Sequence, residues 1–105
     1  MSEAQLSENG AGRASLSGTL DFSSVPALWP GLKGLIGRES RLELSLADVV
    51  SSNSAGLALL LEAVQQAAAD AHQLSLADVP QGLLDLAELS NLGTVLGLSD
   101  GALPQ

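Results

Sequence analysis

The stretch Val49-Val50-Ser51-Ser52-Asn53-Ser54-Ala55-Gly56-Leu57-Ala58-Leu59-Leu60-Leu61 decides how this chain folds. Upstream of it, Leu42, Leu44 and Leu46 alternate with Glu43 and Ser45, the period-two pattern of a strand that runs on into Val49 and Val50. Downstream, Leu57, Leu60, Leu61, Val64, Ala67, Ala68 and Ala71 recur at helical spacing and predict an apolar stripe on a helix over about 54–71. A small polar turn separates the two, so strand end, turn and helix start fall within about a dozen residues.

Working outward, Ala14, Leu16, Gly18 and Leu20 alternate with Arg13, Ser15, Ser17 and Thr19, which predicts a half-buried strand ending at Asp21. Before it, Ala4 to Ser7 reads as an edge strand with Glu8 to Gly12 as its hairpin turn; the alternative is a frayed terminus over 1–11. After it, Ser23 or Ser24 offers an N-cap, with Pro26 in the first turn. The helix that follows carries Val25, Leu28, Trp29, Leu32, Leu35 and Ile36 on one face. Pro30, Gly31, Gly34 and Gly37 weaken it, so a short or kinked helix is expected. Leu74, Leu76 and Val79 predict another strand. Pro80 opens a further helix ended by Asn91 and Gly93, and 94–98 forms a last short strand or a packed tail. Residues 99–105 read as frayed. The order is strand, strand, helix, strand, helix, strand, helix, with right-handed crossovers and a parallel central sheet made mixed by the first hairpin.

The composition narrows the function. The chain has 105 residues, 46% of them hydrophobic and 15% charged, which suits one globular domain. Trp29 and Phe22 are its only aromatics, so Leu, Val and Ala fill the core. Cysteine is absent, which excludes disulfides, thiolate metal sites and Cys nucleophiles. The net charge of −8 is uneven: residues 1–41 hold four acids and four bases, whereas 42–105 hold eight acids and no base. Nothing here could neutralise a phosphate backbone or an anionic bilayer, so the expected partner is a protein with a basic surface. The residues after Met1 lack a signal-peptide pattern, and the longest apolar run, Leu57 to Leu61, is far short of the ~20 residues that span a bilayer. A cytoplasmic protein is expected, reaching a membrane only through a partner.

Chemistry has little to stand on. Ser54 follows a strand and opens a helix, but Ser52 stands where a nucleophile elbow needs its first Gly. The sole histidine, His72, lies 18 residues on, about 27 Å along a helix, and reads as a charge partner for that helix's C-terminus. No phosphate loop and no metal-ligand spacing occurs. No polar residues converge inside the predicted strands to hold a small ligand. No catalytic residue, metal or cofactor is expected. The junction is left. Asn53 and Ser54 cap the helix, and Gly56 in its first turn permits close approach by another group. Ala55, Leu59, Glu62, Ala63 and Gln66 fall on the face opposite the stripe. The expected docking surface is therefore Asn53, Ser54, Ala55, Gly56, Leu59 and Glu62, with Leu59 outward. A hydroxyl at a helix N-terminus is also a good place for phosphate.

Leu42 to Val49 followed by Asn53-Ser54-Ala55-Gly56-Leu57 resembles the signature of STAS domains, a strand leading to an Asp-Ser/Thr-x-Gly-Leu turn that opens a helix. Leu16-Ser17-Gly18-Thr19-Leu20-Asp21 resembles the family's earlier Leu-x-Gly-x-Leu-Asp element, and the match covers about 13–92. The resemblance implies an α/β fold with a mixed, mainly parallel sheet of four to five strands and three to four helices. It implies a single STAS domain over 1–105 with its core at about 13–98. Two roles follow from it. In anti-sigma-factor antagonists the residue matching Ser54 is the phosphosite that switches binding of an anti-sigma kinase. In the MlaB-type subunit of the Mla phospholipid ABC transporter the matching residue meets the MlaF ATPase. Val25-Pro26-Ala27-Leu28-Trp29 and Gly56-Leu57-Ala58-Leu59-Leu60-Leu61 resemble the MlaB type. Asn53 stands where either branch usually has Asp, and its lost charge counts against a kinase switch. The resemblance thus implies a non-enzymatic accessory subunit on a transporter ATPase, peripheral to the inner membrane and serving outer-membrane lipid asymmetry, with the sigma-circuit phosphoswitch as the alternative.

Overall fold

The computed structural model describes residues 3–96. Alternation becomes strand and helical spacing becomes helix in the expected order: β1 (Gln5–Glu8), β2 (Arg13–Leu20), α1 (Val25–Arg38), β3 (Arg41–Ser52), α2 (Ser54–Ala69), β4 (Gln73–Ala77), α3 (Gln81–Leu89) and a short α4 (Gly93–Leu96). The N-terminal residues form the edge strand rather than a frayed end. The Asn9–Gly12 turn closes the hairpin through an Asn9 N–H bond to the Arg13 carbonyl at 2.9 Å, with Gly10 and Gly12 at positive φ.

The sheet order is β1-β2-β3-β4, antiparallel between β1 and β2 and parallel across the other two pairs. Two right-handed crossovers that step in the same direction place their helices on one face. Burial agrees: Ala14, Leu16, Gly18 and Leu20 of β2 and Leu42, Leu44 and Leu46 of β3 are buried, while Arg13, Arg41 and Glu43 between them are exposed. The result is two layers, helices over a sheet whose other face is open. The core between the layers is aliphatic. Leu16, Leu20, Leu32, Ile36, Leu44, Leu46, Leu59, Leu60 and Leu83 are its largest fully buried side chains, and Phe22 is 71% exposed.

Three local expectations change. β3 does not stop at Val50 but continues through Ser51 and Ser52, which pair with Thr19 and Leu20 of β2 after two register shifts. These bulges give β3 extra residues over β2 and carry its polar end past the periodic stretch. α1 runs unbroken for 14 residues through Pro30, because Leu28, Leu32, Leu35 and Ile36 are all buried and packing outweighs the lost backbone bond. The segment after Leu92 is a helical turn at Gly93–Leu96, not a strand. The expected frayed tail at 99–105 lies outside the described residues.

Candidate functional site

Strand β3 hands over to α2 through a single residue, Asn53. Its extended backbone donates N–H to the Leu20 carbonyl at 3.1 Å, which ties the junction to the end of β2. Its Oδ1 accepts from the Ala55 N–H at 2.8 Å, satisfying one of the free donors of the first helical turn. Asn53 is therefore the N-cap that the sequence suggests, and Ser54 follows it as the first helical residue, exposed to solvent.

The neighbouring junction uses a carboxylate. Asp21 Oδ1 accepts from Ser23 Oγ at 2.8 Å and from the Ser23 and Ser24 N–H groups at 3.0 Å each. The Ser23 hydroxyl, followed by the backbone donors, holds the Asp21 carboxyl below the usual carboxylate range. Ser24 occupies the N-cap position of α1 but makes no capping bond with its side chain; its hydroxyl donates to the Thr19 carbonyl at 2.9 Å. The Asp21 carboxylate thus braces the turn ahead of α1, while the first-turn N–H groups of Val25 and Ala27 bond the Asp21 and Ser24 backbone carbonyls.

α2 faces a direction other than the one its periodicity predicts. Ala55, Gly56, Leu57, Leu59, Leu60, Ala63 and Ala67 are buried, Leu61 and Val64 are half-buried, and Ala68 and Ala71 are exposed. Leu59 is only 2% exposed, a core residue and not an outward one. α2 packs against α1 on one side and α3 on the other as well as on the sheet, so its apolar arc is wide. The arc is turned by about 80° from the sequence-derived stripe. The reachable strip is Ser54, Ala58, Glu62, Gln65 and Ala69. Of the six expected docking residues, Asn53, Ser54 and Glu62 are exposed, and Ala55, Gly56 and Leu59 lie beneath them.

Gly56 answers to a need inside the chain. A Cβ there would fall on Ser52 Oγ and stand 3.1 Å from Leu20 Cβ. The close approach is by β2 and β3, which pins the start of α2 to the sheet. Gly18, at φ +84° beside a register shift, is similarly constrained: a Cβ would meet the backbone of Glu3 and Ala4.

Beside the exposed strip lies a groove of about 270 Å³ between α1 and α2, lined by Val25, Trp29, Ala58, Leu59 and Glu62. Val25, Trp29 and Ala58 were absent from the expected docking residues, although spacing had placed Val25 and Trp29 on the apolar face of α1. The usable signal was Trp29, a bulky residue at the margin of the α1 stripe. A larger hollow of about 790 Å³ sits at the opposite end of the sheet, among Arg13, Arg41, Glu43, Val64 and His72. Two of its polar side chains are partnered within the fold: Arg41 Nε donates to Gln73 Oε1 at 3.0 Å, and His72 Nδ1 to the Ile36 carbonyl at 2.8 Å. His72 thus closes the last turn of α1 with its ring, not that of α2. About 24 Å of helix separates it from Ser54. Among the described residues no three acidic or histidine side chains gather to hold a metal. The arrangement offers a partly apolar surface beside a capped helix start.

The family described as "Mlab, STAS domain" matches residues 4–98. Among solved structures, the unphosphorylated form of the anti-sigma factor antagonist SpoIIAA is similar with a TM-score of 0.66, at 18% identity over 87% of this chain and 83% of that one. At that identity the likeness is one of fold. No curated protein matches the chain in sequence.

Proposed function

The chain belongs to the MlaB-type STAS domain family, and on that premise we propose that it is a non-enzymatic accessory subunit that docks on the ATPase of a Mla-type phospholipid ABC transporter. STAS domains are generally binding and regulatory modules that act through partner proteins. In this reading the whole chain is one such domain. It sits at the cytoplasmic side of the inner membrane through its partner complex and contributes to outer-membrane lipid asymmetry. No helix among the described residues is long and apolar enough to cross a membrane.

The observation that carries the reading is the preformed surface at the start of α2. Ser54, Ala58 and Glu62 are exposed along one strip beside the groove under Trp29. Asn53 fixes that helix start with a neutral cap, so no charge has to be removed before a partner can seat. The test is co-purification of the tagged protein with the transporter ATPase. Ala58→Arg places a long cation on the strip without entering the core, and capture should be lost while the fold and thermal midpoint are retained. A folded Ala58→Arg protein that captures the ATPase as well as the wild type does would show the face to be wrong.

A phosphoswitch in a sigma-factor circuit is the second reading, supported by the exposure of Ser54 at the first helical position, where free N–H groups favour an added phosphate. Intact-mass spectrometry on protein from cells decides this. A species heavier by about 80 Da, mapped to Ser54, would put the switch ahead.

A further inference from the structure

The basic side chains of this molecule are gathered toward one end of the strands, where Glu8, Glu39 and Glu43 accompany them. Arg13 and Arg41 are the first residues of β2 and β3, Arg38 is the last of α1, and Lys33 lies in the second half of α1. These are all the Lys and Arg side chains of the sequence. The opposite end carries carboxylates only: Asp21 directly after β2 and Glu62 on the rim of the groove, with Asp48 two-thirds of the way along β3 and Asp78 directly after the shorter β4 on the way to it. Helix dipoles account for part of this, since Asp21 precedes α1 and Arg38 ends it. They do not account for Glu62, two turns into α2, or for Asp48 inside a strand. Among the described residues the ion pairs are made by Arg38, with Glu8 and Glu39, at the far end. Among the described residues Glu62 has no cationic partner.

An apolar groove with an anionic rim selects its occupant. The groove has room for one bulky apolar side chain over Leu59, between Trp29 and Ala58, and a cation next to that side chain would meet Glu62. We propose that the occupant is a basic segment of the partner protein, one large apolar side chain seated in the α1–α2 groove and flanking Lys or Arg residues facing Glu62 and Asp21. This deepens the docking reading above and rests on it for the partner's identity, but its chemistry can be tested separately. The bases kept at the far end would also disfavour docking of the basic segment in reverse.

The test is an NMR titration of the labelled full chain with two synthetic helical peptides that share the same Leu and Phe positions, one with Lys/Arg and one with Glu at the polar positions. The basic peptide is expected to shift the Trp29 indole N–H and the Ala58 and Glu62 amides, and to weaken as salt rises from about 0.05 to about 0.5 M. The acidic peptide should leave them in place. Glu62→Lys should weaken the basic peptide by about fivefold to tenfold. Glu88→Lys, which changes the net charge equally from α3, should leave its binding unchanged. No shift with either peptide, equal shifts with both, or shifts confined to Arg41 and His72 would overturn the proposal. The two inferences fail separately. If the ATPase binds wild type and Glu62→Lys alike at every salt concentration, the basic-segment proposal is wrong and the docking reading stands. If no ATPase binds while the basic peptide still selects the groove, the reverse holds.

Discussion

Where β2 and β3 stop, side chains make the turns, and where α2 and α3 stop, the backbone makes them. At the first end the Asp21 carboxylate, the Ser24 hydroxyl and the Asn53 carboxamide each hold a backbone group at 2.8–3.0 Å. At the second, α2 closes with the His72 N–H on the Ala67 carbonyl at 2.8 Å and the Ala71 N–H on the Ala68 carbonyl at 3.1 Å, with Ala71 at φ 58°. α3 closes in the same way, through Leu92 to Ala87 and Asn91 to Glu88, with Asn91 at φ 57°. This is the Schellman arrangement, and it asks for a left-handed residue more than for a particular side chain. On the docking reading proposed above, the difference favours the first end as the surface a partner reads. Its polar side chains are fixed by bonds to the chain's own backbone.

The largest effects should come from entering the first end from below. Leu59→Arg buries an unpaired cation in the core and is expected to cost about 4 kcal/mol or more, measured by urea unfolding. Ala58→Arg, its chain neighbour on the exposed strip, should stay within about 0.5 kcal/mol of wild type. Equal losses in the two variants would mean that α2 is not oriented as described.

Next come the two glycines of this end. Gly18→Ala forces a side chain onto a left-handed backbone and against the Glu3 and Ala4 main chain, so a loss of roughly 3 kcal/mol is expected. Gly56→Ala meets mainly a serine hydroxyl that can rotate, and the helix gains propensity from Ala. Its net cost should be only about 1 kcal/mol. In a Ser52→Ala background the obstructing oxygen is gone, and Gly56→Ala should then approach neutrality. A cost that is unchanged by removing the hydroxyl would place the obstruction on Leu20 instead.

How much of this was legible in the sequence depends on where the information lay. Element order was, because a period of two and a period near 3.6 are local signals, and Asn53 and Asn91 were visible as caps because their roles depend on adjacent backbone. The facing of α2 was not. Its stripe was read as if one surface covered it, whereas α2 packs against α1 and α3 as well as the sheet, and Ala55, Leu59 and Ala63 are buried. A helix enclosed on three sides has no narrow stripe to find. The end of β3 was hidden for a related reason, since Ser51 and Ser52 look like turn residues until β2 is beside them. Gly56 was correctly singled out as a point of close approach, but only tertiary structure could say that the approaching group is Ser52. The groove joins residues of α1 and α2 about 30 positions apart, a pairing no local pattern reports.

At the second end, the backbone closures predict a gain where the first end predicts losses. Ala71 holds a conformation that Ala disfavours and Gly does not, so Ala71→Gly should stabilise the protein by about 0.5–1 kcal/mol. Asn91→Gly should gain less, because Asn already tolerates that region. No gain at Ala71 would mean that the α2 terminus is held by His72 on Ile36 more than by its own cap.

The smallest effect is the pH response of the Asp21 turn, which distinguishes a charged turn from the neutral Asn53 cap. Asp21 is held below the usual carboxylate range by the Ser23 hydroxyl and the Ser23 and Ser24 backbone donors. A carboxylate whose folded-state pKa is depressed stabilises the fold above its unfolded value and loses that contribution as pH falls through the folded value. Wild type should therefore be more stable than Asp21→Asn near neutrality, and the gap should narrow as pH falls below about 4, the unfolded reference for Asp. Asn53→Ala supplies the contrast. Its cap is uncharged, and its cost of about 1 kcal/mol should persist across the same range. Thermal midpoints of the three proteins between neutral and acid pH measure both. If the Asp21→Asn gap stays constant into acid, the first end is held at both junctions by neutral hydrogen bonds, and the charge on Asp21 is free to face a partner.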